Sequence, residues 1–135
     1  MDNTKETAPS KGDILPCSTI VLRAALKAGW VDKEHGKVMP AAFFLRAKPN
    51  DEDGISVGHS CDLNSHLSQF NKTYGAATLH VGRIRDIGLD VIRGGPNDPS
   101  HAVITGVPYR EDDPLRAESL ALQLARQARL AGSQP

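Results

Sequence analysis

The chain has 135 residues, 39% hydrophobic and 24% charged, and its 16 basic and 16 acidic side chains cancel to zero formal charge. That length suits one domain with an ordinary core, and the charge balance argues against a protein built to grip a phosphate backbone, which needs a basic excess. No apolar run approaches the roughly 18–20 residues of a membrane helix, and two cysteines, Cys17 and Cys61, make no disulfide framework.

Residues 1–13, "MDNTKETAPSKGD", are polar and without apolar periodicity. They read as a disordered tail with no signal region, which sets the expectation of a cytoplasmic protein with reduced thiols. The domain is expected over 14–131, with 132–135 frayed. "CSTIVLRAAL" at 17–26 opens with the β-branched run Thr19-Ile20-Val21, a strand signal, and its Ala/Leu half suits a helical turn. Gly29, Gly36 and Pro40 punctuate a loop after it. "AAFFLRA" at 41–47 is apolar but too short for its period to decide between strand and helix. Aromatic residues are scarce, so Phe43 and Phe44 are the expected bulky anchor of a core made of Val, Ile, Leu and Ala.

"ISVGHS" predicts a strand, and "CDLNSHLSQF" a short helix with Leu63, Leu67 and Phe70 on one stripe. Residues 76–81 alternate as a strand does, and "RIRDIG" predicts a helical turn ended by Gly88 in a left-handed cap. "LDVIR" and "HAVITGV" predict two more strands around the breaker cluster "GGPNDPS". Last, Asp113 as cap and Pro114 at the first helical position predict a helix running without a breaker to Gly132, with Leu120, Leu124 and Ala128 on its inner face. The expected fold class is α+β: one small domain with a mixed or antiparallel sheet and a packed C-terminal helix.

The order of short motifs resembles a family of small bacterial proteins to which we attach no reaction. The likeness lies in "IVLRA" with Arg23, in Ala41-Ala42-Phe43, in Ile55-Ser56-Val57, in the set Gly82, Arg85, Gly88, Leu89 and Val91, and in "NDPSHAVITGVP" at 97–108. It spans roughly residues 17–108. It implies a bacterial cytoplasmic origin and a shared fold, and it includes Arg23, Ser56 and His101 but not His59, Cys61 or His66.

Two groups of residues carry candidate chemistry. "SVGHSCDLNSH" places His59, Cys61, Asp62 and His66 within eight positions. Thiolate and imidazole are zinc ligands, but a tetrahedral site wants four donors, and there is neither a C-x-x-C nor an H-x-x-x-H pair here. Cys61 at a helix start beside a histidine could also be an activated nucleophile. The plainer readings, a solvent-facing polar strand-to-helix junction and a small buried thiol, are favoured, so no metal and no cofactor is expected. The second group is Arg23, Ser56 and His101, each at a strand end. Convergence would make a site for phosphate or carboxylate, with Arg as a fork, Ser as a donor and His as acid or base. The plainer reading is an internal hydrogen-bond network holding loops to the sheet, with Arg23 on a carboxylate such as Asp98 or Asp90.

No phosphate loop or nucleophile elbow is present. Arg83 and Arg85 beside His80 are offset by Asp86 and lack an aromatic platform, which disfavours nucleic acid. The leading expectation is a non-catalytic interaction or accessory module that binds a protein partner or itself. The alternative is a small enzyme or ligand-binding domain acting on a phosphate-bearing substrate through Arg23, Ser56 and His101.

Overall fold

The computed structural model describes residues 15–48, 50–51, 53–59, 73–94 and 101–131. The predicted tail at 1–13, the predicted helix within 61–70, the breaker cluster at 95–100 and the last four residues lie outside that set.

Strand β1 (Ile20–Ala24) is the middle of the sheet, and it stays extended to Ala24 where the sequence suggested a helical turn. All five of its residues pair with β5 (Ala76–His80), and this ladder outweighs the weak helical preference of Leu22-Arg23-Ala24. A short hairpin of β2 (Val31–Asp32) and β3 (Lys37–Val38) occupies the expected loop. Its turn is closed by the Asp32 carboxylate, which accepts the His35 N–H at 3.2 Å, and by Gly36 at φ 63°. "PAAF" then forms a single 3-10 turn, Pro40–Phe43, that packs against the C-terminal helix.

β4 (Ile55–His59), β6 (Asp90–Arg93) and β7 (His101–Thr105) fall on the predicted strands. Between β5 and β6 lies α1 (Val81–Asp86). Gly88 at φ 88° donates to the Arg85 carbonyl at 3.0 Å and Leu89 to the Ile84 carbonyl at 3.4 Å, and Leu89 and Ile84 are both buried. This is the Schellman ending, with the hydrophobic contact that accompanies it. The last helix, α2 (Pro114–Gln127), starts as predicted: Asp113 accepts the Arg116 N–H at 3.2 Å. It ends five residues before Gly132. Ala128 turns extended and β8 (Arg129–Ala131) pairs with β5 instead.

The six strands lie in the order β6-β7-β4-β1-β5-β8, every neighbour antiparallel. The architecture is α+β in one domain, with an antiparallel sheet and a C-terminal helix. Register sorts the side chains into two faces. Val21, Arg23, Ile55, Val57, His59, Ala77, Leu79, Val91, Arg93, Ala102 and Ile104 share one face. Most of these join Phe43, Leu120, Ala121 and Leu124 in the main core. Leu22, Ala24, Ser56, Gly58, Ala76, Thr78, His101 and Val103 point to the other. Of the expected Phe anchor, only Phe43 is fully buried; Phe44 is half-buried under the Arg110 guanidinium, 4.4 Å from its ring centre.

Candidate functional site

Arg23 shares its face of β1 with Val21 and alternates with Leu22 and Ala24, so its side chain leaves the sheet on the core face. Direct pairing of β1 with β4 runs through Val21 and Leu22 only. Just beyond that, Arg23 Nη1 donates to the Ser56 carbonyl at 2.7 Å and Nε donates to the Ala42 carbonyl. The guanidinium also lies over the Trp30 ring, 4.9 Å from its centre. Loss of hydration lowers Arg23 to about 10; the Asp51 carboxylate opposes this shift and the Arg46 cation adds to it. The fork is thus spent on two main-chain carbonyls and an indole, tying β1 to β4, to the 40–43 turn and to the 3-10 turn Ala28–Trp30 that precedes the hairpin.

Ser56 and His101 leave the sheet on the opposite face. Ser56 pairs with Val103 and Gly58 with His101, which places the two side chains diagonally. His101 Nε2 and Ser56 Oγ lie 3.4 Å apart. Gly94 makes room for this arrangement: a Cβ there would sit 1.9 Å from His101 Nδ1. The three-residue convergence that the sequence left open as the alternative therefore does not form. Strand alternation sends Arg23 to one face of the sheet and Ser56 and His101 to the other, and only the last two meet.

The junction expected to face solvent does not do so at His59: pairing with Val21 puts it on the core face, where it is 2% exposed. Its Nε2 faces Arg93 Nη1 at 3.4 Å, a cation where a zinc ligand would need its metal. Cys61 and His66 lie outside the described residues. Among the described residues, one group of three ligating side chains comes within reach of a common ion: Asp32, Glu34 and His35, their atoms within 4.8 Å of one another. Asp32 Oδ2 already bonds His35 Nδ1 at 2.8 Å, and this hydrogen bond holds the Asp32 carboxyl below its ordinary range. That trio closes the hairpin turn. Beside it, a cleft of about 480 Å³ is lined by Ala28, Gly29, Val31, Lys33, Met39 and Tyr74, with Asp32 at its rim.

A further surface feature among the described residues is the outer stripe of α2. Ala117, Leu120, Ala121, Leu124 and Ala125 are buried. Opposite them stand Leu115, 80% exposed, and Leu122, 41% exposed, among Ser119 and Arg126. Leu115 and Leu122 are seven residues apart and so lie on one stripe. Counting 100° per residue from Leu120 finds this second stripe in the sequence, where the reading above stopped at the inner one. Trp30 and Gly94 carried no such signal, because their importance depends on what the fold sets beside them.

Among the described residues no helix is long and apolar enough to cross a membrane. Comparison with family models, with curated proteins and with solved structures finds no match.

Proposed function

We propose that the protein is a non-catalytic interaction module of the bacterial cytoplasm, an accessory that works by binding a protein. The observation that carries this reading is the outer face of α2, where Leu115 and Leu122 stand in solvent while the inner face of the same helix already fills the core. Covering an exposed apolar side chain with a partner gains free energy roughly in proportion to the area removed from water. Two on one stripe, with Ser119 between them, give a partner helix a flat apolar strip. The fate of Arg23 supports the same reading, because the guanidinium that the sequence offered to an anionic substrate is engaged with carbonyls of the chain itself.

Native mass spectrometry of gently purified protein, beside a Leu115→Asp/Leu122→Asp variant, tests the reading. A mass above the single chain that the variant loses is the expected result. A bare single chain at every concentration would overturn it.

A second reading rests on the contact between Ser56 Oγ and His101 Nε2. A hydroxyl donor beside an imidazole on an accessible face suits a small oxyanion such as phosphate. Titration with inorganic phosphate, followed through the His101 ring resonances, tests it; unmoved resonances would remove it.

A further inference from the structure

We propose that the cleft beside the hairpin binds a free apolar α-amino acid, with the ammonium at Asp32, the carboxylate at Lys33 and the side chain against Met39 and Tyr74. This site is independent of the interaction reading above: neither stands or falls with the other. Three segments meet to build the cleft. The Met39 N–H donates to the Trp30 carbonyl at 2.8 Å, which fixes the end of β3 to the 3-10 turn Ala28–Trp30. The Tyr74 N–H donates to the Ala25 carbonyl just ahead of that turn, also at 2.8 Å. Val31, Met39 and Tyr74 thus stand around a space of about 480 Å³, a size within the range of small-ligand sites. The fold leaves Met39 37% exposed, and a thioether beside an aromatic ring is an adaptable partner for an apolar side chain.

Gly29 points the same way. Its φ is not positive, and a Cβ added there would meet nothing within 4 Å. Neither the backbone nor close packing calls for glycine at this position, where it costs conformational entropy. What the missing side chain leaves is an open wall of the cleft.

Charge sets the class of ligand. One acid and one base line the cleft, Asp32 and Lys33. Asp32 accepts the His35 N–H at 3.2 Å and the Nδ1–H at 2.8 Å, one at each oxygen, which leaves each oxygen a further lone pair. The same contact holds the Asp32 carboxyl below its ordinary range, so the acid is ionised at neutral pH. Lys33 Nζ lies 5.8 Å from the Tyr74 ring centre and makes no hydrogen bond or ion pair among the described residues. Glu34 beyond Asp32 and Lys37 opposite it keep the neighbourhood balanced. A simple anion would meet Asp32 as a like charge, and a simple cation would meet Lys33. A zwitterion with an apolar body suits both groups and the wall between them.

Nuclear magnetic resonance titration of the full chain with L-phenylalanine tests the site. Two truncated compounds run beside it: 3-phenylpropanoate, which lacks the ammonium, and phenethylamine, which lacks the carboxylate. The expected result is saturable shifts at Gly29, Lys33 and Met39 with phenylalanine. Either truncated compound should bind about fivefold more weakly, the size of one exposed ion pair. Lys33→Gln should weaken phenylalanine by about the same factor without weakening phenethylamine. Gly29→Leu, which fills the cleft, should abolish binding. Both variants change exposed positions, and circular dichroism verifies that they keep the fold; if Gly29→Leu does not, Lys33→Gln decides. The absence of saturable shifts with phenylalanine overturns the site. So does a truncated compound that binds as tightly as phenylalanine, or binding that Lys33→Gln leaves unchanged.

Discussion

Arg23 donates to the main-chain carbonyl of Ser56 at 2.7 Å, while the Ser56 hydroxyl leaves the sheet on the opposite face. The two residues are therefore neighbours without sharing a site. The guanidinium fills the place where β1 and β4 cease to pair directly, and it satisfies carbonyls that the ladder would otherwise leave bare. Lysine has the charge but not the fork. Arg23→Lys is expected to keep one carbonyl contact at most and to lose about 1.5–3 kcal/mol of stability, the range for a hydrogen bond to a charged group. Urea unfolding measures this. An unchanged midpoint would mean that the fork contributes nothing.

Gly94 permits the position of the His101 ring. The Cβ of an alanine there would meet Nδ1 at 1.9 Å, and the ring is the movable end of a side chain. Gly94→Ala is expected to swing the imidazole off Ser56 with little change in melting temperature. The readout is loss of the nuclear Overhauser contact between the His101 ring and Ser56, with the fold otherwise intact.

Gly54 presents the harsher case. Its φ is 132°, and an added Cβ would lie 2.2 Å from the Ile104 carbonyl oxygen, which is backbone and cannot step aside cheaply. Gly54→Ala is expected to destabilise by about 3 kcal/mol or more, through strain and displacement of β7 together. Thermal unfolding of the two variants should rank Gly54→Ala well below Gly94→Ala.

Asp51 sits at φ 58°, a conformation few non-glycine residues hold. It is fixed there by Arg46, whose N–H and Nη2 both donate to its carboxylate at 2.8 Å. The side-chain hydrogen bond from Arg46, aided by the Arg46 N–H and the charges of Arg46 and Arg23, holds the Asp51 carboxyl below its ordinary range, against the effect of burial. A folded-state pKa below the unfolded one means stability that is complete above the ordinary carboxylate range and drains away as pH falls through the lowered value. Melting temperature is expected to drop more steeply with acid in the wild type than in Asp51→Asn. Parallel curves would refute the coupling.

The sequence was readable wherever one local rule governed. Period-two alternation located β5, the breaker cluster marked off β7, the Asp113-Pro114 pair located the start of α2, and Gly88 closed α1 as its left-handed tolerance predicts. The candidate site was only partly readable. Arg23, Ser56 and His101 are correctly at strands, but whether three strand residues meet depends on register, and a slip of one position changes the face.

What the sequence determined by itself, then, is the set of elements and the composition of the inner face of α2, because these follow from side-chain periodicity within a dozen neighbouring residues. The tertiary structure alone decided three further things. It sent Arg23 away from His101, since the pairing of β1, β4 and β7 fixes which side chains share a face. It folded the expected loop at 31–38 into a hairpin. It also ended α2 at Gln127 and turned Arg129–Ala131, good helix formers by propensity, into an edge strand. There the free edge of β5 offers hydrogen bonds to a chain arriving from far along the sequence, and those outweigh a local preference of a few tenths of a kcal/mol per residue.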